Sequence, residues 1–168
     1  IVTLGNVRSI KVTLVGEVEN PGSYTISSLA TVFNALYLAG GPNENGSYRS
    51  IRVIRNNKVV RTLDLYDFLL KADQKDNIQL KDQDIIRVGD FDSHVELAGE
   101  VRRPMVFEAV KGETLKDILR YAGGFTDKAY TYSLNVRRNT SRELKLLNIT
   151  QDEVAIFQPQ NGDSISVG

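Results

Sequence analysis

Apolar and polar residues alternate through residues 10–18, where isoleucine, leucine, valine and glycine occupy every second position. A period of two predicts a half-buried β-strand. Pro21 and Gly22 then favour a turn, because proline presets φ and glycine accepts a positive φ. Residues 24–26 continue as a second strand. The pattern therefore predicts a β-hairpin near the start of the chain.

The apolar spacing lengthens to three and four residues after this hairpin, as it does on one face of a helix. Thr31 with Asn34 has the spacing of a capping box, and Thr114 with Asp117 has it more clearly. Glycine pairs at 40–41 and 123–124 are typical of helix C-termini. The helical faces are Val32, Ala35, Leu36 and Ala39 in one stretch, and Leu115, Ile118, Leu119 and Ala122 in the other.

Further strands are predicted at 51–55 and 59–63, joined by a tight turn at Asn56-Asn57. Residues 64–70 fit one short helical turn, and residues 85–88 form a final apolar strand. Two strands, one helix across the sheet and then more strands are the order of a β-grasp. The sequence thus predicts an α+β fold in which a mixed sheet packs on one short helix.

The whole pattern occurs twice. LVGEVENP at 14–21 returns as LAGEVRRP at 97–104, an offset of 83, and the same offset relates AGG at 39–41 to AGG at 122–124. The final strand returns at 164–167 with an offset of 79, so about four residues are expected to be missing from the loop before it. Internal repeats decide domain number first, and we predict two tandem domains, 1–90 and 91–168.

The second hairpin is expected to turn at Arg102-Arg103-Pro104. Val95, Leu97 and Val101 would then pair with Phe107 and Ala109. A spacer at 89–94 would join the two domains.

Composition excludes several classes of protein. The 168 residues are 41% hydrophobic, enough for real cores, and contain no cysteine. Residues 1–90 carry 11 basic and 10 acidic side chains and residues 91–168 carry 10 and 11, so neither half has the basic excess that nucleic acid binding requires. No apolar run approaches the roughly 20 residues of a membrane helix. The chain opens at Ile1 without methionine, and we expect an excerpt of a longer protein.

The ordered motifs Gly-Glu-Val-x-x-Pro-Gly, a short helix ending Ala-Gly-Gly, and a closing turn-Asp-x-Ile-x-Val resemble the soluble-ligand-binding β-grasp (SLBB) domain of bacterial polysaccharide export proteins. The resemblance covers nearly all of both repeats. Two positions depart from it. Met105 stands where glycine would follow Pro104, and the turn at 81–84 lacks the glycine that its counterpart has at Gly162.

The resemblance implies a non-enzymatic module of a capsule or exopolysaccharide export protein, in the periplasm or at the outer membrane of a Gram-negative bacterium. Its expected partners are its own longer chain, a homo-oligomer and the polysaccharide, and no cofactor is expected. The alternative is a module that binds a small molecule, such as a cobalamin-like ligand. Fold resemblance does not choose between them.

The sequence contains few residues in patterns that catalysis or metal binding requires. His94 is the only histidine, and one spacer residue cannot supply the converging groups of a metal or proton-transfer site. The acid pairs Asp82 with Asp84 and Asp73 with Asp76 lie in turns, whereas glycoside hydrolysis needs two acids facing across a cleft. No serine has a histidine partner. We therefore expect neither an enzyme nor a metal site.

The remaining candidates are aromatic and basic side chains on loops. Tyrosine faces with charged or amide neighbours suit a sugar ring or a partner protein. Closing the edges of the cores is the alternative role for the tyrosines, and solvated turns are the alternative for the arginines. The candidate interaction residues are Asn20, Tyr48, Arg49, Arg102, Arg103, Tyr130 and Tyr132.

Overall fold

The computed structural model describes residues 8–168; the expectation that a strand opens at Ile1 lies outside them. The described chain divides into two compact units, 8–91 and 92–168. The first contains β1 (Ser9–Gly16), β2 (Gly22–Ser27), α1 (Val32–Leu38), β3 (Gly46–Arg55), β4 (Lys58–Leu63), α2 (Leu65–Lys71) and β5 (Ile85–Asp90). The second contains β6 (Ser93–Gly99), β7 (Met105–Ala109), α3 (Leu115–Tyr121), β8 (Ser133–Asn139), β9 (Leu144–Thr150), a 3₁₀ turn (Gln151–Glu153) and β10 (Ser164–Val167).

Each unit is built on one mixed five-stranded sheet. The strand order is β2-β1-β5-β3-β4 in the first unit and β7-β6-β10-β8-β9 in the second. The first strand of each unit runs parallel to the last, and the other neighbours are antiparallel. The predicted α+β fold with two tandem units is confirmed. The short helical turn predicted at residues 64–70 is present as α2, so the first unit has a second helix.

The core of each unit lies between one sheet face and the helix that follows the hairpin. Alternate strand residues point to this face, as a period of two requires. In the first unit the core side chains are Val12, Leu14, Ile26, Ile51, Val53, Leu63, Ile86 and Val88 from the strands, with Val32, Ala35 and Leu36 from α1. In the second unit they include Val95, Leu97, Leu134, Val136, Ile149 and Ile165, with Leu115, Ile118 and Leu119 from α3.

The predicted helix caps are confirmed. The Thr31 N–H donates to Asn34 Oδ1 at 2.9 Å, and the Thr114 N–H donates to Asp117 Oδ2 at 3.0 Å. At the other ends, the Gly41 N–H donates to the Leu36 carbonyl at 2.8 Å, and Gly124 makes the equivalent bond in α3. The first glycine of each pair has a φ above +80°, which glycine adopts without steric cost.

Two connections differ from the prediction. The spacer is much shorter than 89–94, because pairing of Gly46 with Asp90 and of Ser93 with Ala109 extends the flanking strands and leaves only residues 91 and 92 between them. Val101 does not pair with β7; it forms a bridge with Phe125 beyond α3.

The four-residue difference between the repeats combines two opposite changes. Twelve positions separate the paired residues Ile51 and Leu63, but fifteen separate Leu134 and Ile149, so the β8–β9 hairpin is three residues longer. The segment that follows, up to the aspartate before the last strand, is seven residues shorter in the second unit, where the 3₁₀ turn replaces α2. A hairpin tip and a surface connection both tolerate such changes.

The turn before the last strand has nearly the same backbone conformation in both units, although only the second unit has a glycine there. Gly162 has a φ of 86°, and Gln83 adopts nearly the same conformation with a φ of 70°. A non-glycine residue is strained there because its Cβ approaches the following carbonyl. Met105, the other departure, begins β7 with an ordinary negative φ.

We expect Gln83→Gly to raise the free energy of unfolding of the first unit by about 0.5–1 kcal/mol, the left-handed strain less the added freedom of glycine in the unfolded chain. Gly162→Gln should lower that of the second unit by a similar amount. Urea unfolding followed by NMR signals of each unit measures both changes. A loss of stability in Gln83→Gly would show that the Gln83 side chain contributes more than its backbone strain costs.

Candidate functional site

The hairpin tip and the helix end meet in both units. The N–H groups of Glu19 and Asn20 donate to the carbonyls of Gly41 and Ala39 at 2.9 and 3.0 Å. Arg102 and Arg103 repeat these bonds to Gly124 and Ala122, at 3.1 and 2.9 Å. The carbonyls at a helix C-terminus lack intrahelical partners, and the hairpin satisfies them. The two repeated sequence motifs, Gly-Glu-Val-x-x-Pro in the hairpin and Ala-Gly-Gly at the helix end, are therefore hydrogen-bonded to each other in both units.

The motif glutamates fasten the loop after each helix. The carbonyl of Glu17 accepts from the Asn43 N–H at 3.0 Å, and its side chain accepts from Asn43 Nδ2 at 3.0 Å. In the second unit Glu100 accepts from the Thr126 N–H at 3.1 Å and from Thr126 Oγ1 at 2.5 Å. The repeated glutamates are accounted for by structure.

The side chains at the two tips behave differently. Asn20 Nδ2 donates to the Ala39 carbonyl at 3.3 Å. Arg103 Nη2 donates to the Tyr121 carbonyl at 2.9 Å, a favourable place for a cation because the C-terminus of a helix is partly negative. The Arg102 side chain is exposed and makes no hydrogen bond or ion pair within the described residues. Arg102 is thus the tip residue most available to a ligand or partner.

Tyr130 and Tyr132 form an exposed aromatic pair in the loop before β8. They are 58% and 70% exposed, and their ring centroids lie 5.9 Å apart at 47°. The Tyr130 N–H donates to the carbonyl of Gly168 at 2.7 Å, and the Tyr132 carbonyl accepts from Gln151 at 2.9 Å, so both ends of the loop are fixed. In the first unit Tyr48, in β3, is 41% exposed.

Arg49 is held inside the first unit. Its side chain is only 7% exposed, its Nε lies 3.0 Å from Asp64 Oδ2, and its guanidinium lies 4.8 Å from the centre of the Tyr66 ring. Asp64 also caps α2 by accepting from the Tyr66 N–H at 3.0 Å. Burial raises the pKa of Asp64 above its usual value, although the Arg49 charge acts in the opposite direction. Arg49 therefore positions α2, and its role in an interaction surface stays a prediction.

The seven candidate residues are divided between the units, with Asn20, Tyr48 and Arg49 in the first and the other four in the second. Within the second unit, no hydrogen bond, ion pair or ring contact among residues 92–168 joins Arg102 and Arg103 to the tyrosine pair. Tyr48 belongs to the first unit. Among the described residues of the second unit, the hairpin tip and the Tyr130–Tyr132 loop are therefore not joined by direct contacts of these kinds.

A buried ion pair occurs at the same place in both units, and sequence reasoning missed it. Arg55 Nε and Nη2 donate to the two carboxylate oxygens of Asp84 at 2.9 and 2.8 Å, and Arg138 binds Asp163 at the same distances. Both aspartate side chains have no exposed surface. The hydrogen bond to Asp84 raises the pKa of Arg55 despite burial, so the guanidinium remains charged. The signal was present, because Arg55 and Arg138 repeat with the offset of 83.

The other paired carboxylates also have structural partners. Asp82 Oδ1 accepts from the Lys11 N–H at 2.8 Å, Asp73 accepts from the Lys75 N–H at 3.0 Å, and Asp76 lies 3.7 Å from Arg61. These acids therefore fix turns and connections.

The prediction that His94 lies in the spacer is wrong: it lies in β6, opposite Glu108 of β7. The His94 N–H donates to Asn161 Oδ1 at 2.9 Å. Among residues 8–168, no group of three or more histidines and acids is arranged to hold a metal ion.

An apolar groove of about 360 Å³ lies beside α1 and α2 in the first unit. Phe33 and Phe68, two of its lining residues, pack together with ring centroids 4.8 Å apart. Tyr37 and Leu69 remain 86% and 60% exposed. The lining residues are Phe33, Leu36, Tyr37, Gly40, Gly41, Pro42, Tyr48, Leu65, Phe68 and Leu69. The second unit has the 3₁₀ turn in place of α2, so the shared motifs did not reveal the groove.

The family model of the SLBB domain matches the chain twice, at residues 11–63 and 95–144. Each match spans a hairpin, the helix after it and the next strand; the first match also covers β4, and the second ends where β9 begins. The chain belongs to the SLBB family. The resemblance drawn from the motifs is confirmed, and the hydrogen bonds between hairpin tip and helix end give those SLBB motifs a physical reason.

Two curated relatives are polysialic acid transport proteins KpsD of Escherichia coli. Each is 37% identical over 102 residues, which is 60% of this SLBB chain and 18% of the relative. The aligned part of the chain spans less than a fifth of the length of these relatives. In the part of the SLBB chain that the structure describes, no helix is long and apolar enough to cross a membrane.

Proposed function

We propose that this SLBB pair is a non-enzymatic module of a capsule or exopolysaccharide export protein, located in the periplasm or at the outer membrane of a Gram-negative bacterium. It acts by assembling with other copies of its own longer chain, and it contacts the exported glycan. The observation that carries the proposal is the doubled SLBB scaffold, similar to proteins named for polysialic acid transport.

Exposed side chains on rigid supports favour a role in assembly. The hairpin tip of each unit is bonded to a helix end, and the Tyr130–Tyr132 loop is bonded at both ends. Such a surface loses little conformational entropy on binding. Tyrosine is also enriched at protein interfaces, where it contributes large contact area. Several weak contacts of this kind add through multivalency when many copies assemble.

The test is the mass in solution of the longer chain with its flanking regions, measured by light scattering over a range of concentrations. We expect a defined oligomer that Tyr130→Ser with Tyr132→Ser weakens at least about tenfold, as loss of a central aromatic contact does. Tyr37→Ser, which removes an exposed tyrosine of the first unit, is the matched control and should leave the oligomer intact. A longer chain that stays monomeric at high concentration would contradict the proposal.

A second function is favoured by the groove beside α1 and α2. A concave apolar site with a few polar groups is the usual form of a small-molecule pocket, and its volume suits a compact, largely apolar ligand. Phe68→Ala should abolish the thermal stabilisation of the first unit by such a ligand in a screen, whereas Tyr132→Ser should not. A screen in which no compact ligand stabilises the first unit would remove this candidate.

A further inference from the structure

Two arginines lie side by side on the open face of the first unit's sheet. Arg52 of β3 and Arg87 of β5 are register partners on adjacent antiparallel strands. Their neighbours along the chain, Ile51, Val53, Ile86 and Val88, are at most 1% exposed. Since side chains alternate along a strand, both arginines point away from α1 and the core, and both are exposed.

Neither arginine has a partner in the part of the chain that the structure describes. Among residues 8–168, no ion pair or side-chain hydrogen bond involves Arg52 or Arg87. By contrast, Arg49, Arg55 and Arg61 of the same unit each pair with an aspartate. Like charges placed directly opposite each other in a sheet destabilise it. The facing positive charges of Arg52 and Arg87 are therefore unfavourable for the stability of the first unit. Together the two guanidinium groups offer ten N–H donors, five on each.

The fold itself does not require this charge pair. The row across the first sheet reads Val15, Arg87, Arg52 and Thr62. The equivalent row of the second sheet reads Ala98, Ser166, Asn135 and Asn148. The second unit builds the same strands with small or neutral polar side chains at these positions. A residue pattern that costs stability in one copy and is absent from the other indicates a function outside folding.

We propose that Arg52 and Arg87 form a carboxylate-binding site for an acidic polysaccharide on the open face of the first SLBB unit. The inference rests on the proposed function and names the class of glycan. Guanidinium groups bind carboxylates through paired, charge-assisted hydrogen bonds. An exposed sheet face admits a polymer along its length, as a closed pocket does not. Val15 and Thr62 lie at the two ends of the row, where they offer an apolar contact and a hydroxyl to the flanking sugar rings.

Binding is tested by NMR titration of the chain with a short oligomer of sialic acid, which carries a carboxylate on each sugar. We expect the Nε–H signals of Arg52 and Arg87 to shift. The variant Arg52→Asn with Arg87→Ser, which installs the residues of the second unit, should bind about tenfold more weakly, the loss of roughly one charge-assisted contact. The control Lys58→Asn with Arg142→Ser removes the same charge from two exposed hairpin tips and should change affinity by less than about twofold.

Two further titrations test whether binding requires the carboxylate and whether it requires the sugar polymer. A neutral dextran should produce no shift, and acetate at equal carboxylate concentration should bind far more weakly than the oligomer. Equal binding of acetate per carboxylate would overturn the assignment to a glycan. Equal affinity of the wild type and the arginine variant, shifts confined to Arg102 and the tyrosine loop, or no shift at all would overturn the site.

Two readouts distinguish this inference from the proposed function. Removing the facing charges should raise the melting temperature of the first unit by about 1–4 °C, which shows that the arginine variant folds. The same variant should leave oligomerisation of the longer chain unchanged, because assembly is assigned to the tips and tyrosine loops. If the titration shows no binding at Arg52 and Arg87, the assembly proposal still stands. If the longer chain stays monomeric in light scattering, the result of the titration can still be interpreted.

Discussion

Asp84→Asn is expected to lower the free energy of unfolding of the first unit by about 3 kcal/mol, the typical cost of breaking a buried ion pair from one side. The neutral amide cannot accept both guanidinium bonds from Arg55. It also weakens the bond from the Lys81 N–H, which lies 2.8 Å from Asp84 Oδ2. The guanidinium of Arg55, whose side chain is only 23% exposed, then loses its counter-charge. Urea unfolding monitored by NMR signals of the first unit measures the change.

The duplication supplies an internal comparison. Asp163→Asn should produce the same loss in the second unit, because Asp163 also accepts from Arg138 and from the Gln160 N–H at 2.9 Å. Glu44→Gln removes one negative charge from an exposed loop of the first unit and should change stability by less than about 0.5 kcal/mol. If Asp84→Asn behaved like Glu44→Gln, the ion pair would contribute little and the turn would be held by its backbone alone.

Gly16→Ala is expected to destabilise the first unit by about 3 kcal/mol or more. Gly16 has a φ of +83°, and an added Cβ would lie 2.2 Å from the carbonyl oxygen of Val88. That oxygen accepts the Glu17 N–H at 2.9 Å. The methyl group therefore adds left-handed strain of about 1–2 kcal/mol and forces apart two neighbouring strands. Denaturant unfolding, read from the signals of the first unit, gives the loss.

Gly41→Ala is the control that separates the cost of left-handed backbone strain from the cost of the steric clash. Gly41 has a similar φ of +75°, but an added Cβ would meet nothing within 4 Å, so only the strain of about 1–2 kcal/mol applies. Gly99→Ala should reproduce the larger loss in the second unit, where the Cβ would lie 2.0 Å from the Val167 carbonyl oxygen. Equal losses for Gly16→Ala and Gly41→Ala would contradict the steric explanation of the Gly-Glu-Val motif.

The local elements were predictable because their causes are local. The capping boxes at Thr31 and Thr114, the helix-ending glycines and the tight turn at Asn56 and Asn57 depend on bonds or dihedral angles within a few residues. Both asparagines have a positive φ, 53° and 62°, as such a hairpin turn requires. Because the sequence repeats, the capping boxes and helix-ending glycines predicted for one unit were also predicted for the other.

The candidate site was predictable only in part. Exposure of Tyr130 and Tyr132 agrees with the loop position read from the sequence. Arg49 was grouped with them because it follows Tyr48, yet it lies buried against Asp64, fifteen residues away. Composition around a loop does not reveal which side chain turns inward, because the partner is supplied by another element.

The sequence by itself determined the duplication, the class of fold, the helix limits and the turn chemistry, since each depends on periodicity or on neighbours along the chain. Only the tertiary structure decided which distant residues meet. It joined Arg55 to Asp84 across 29 positions and placed α2 beside α1 to form a groove in the first unit. It also set Arg52 opposite Arg87 on the open sheet face. Strand order and register fix these pairs, and both follow from burying the whole core at once.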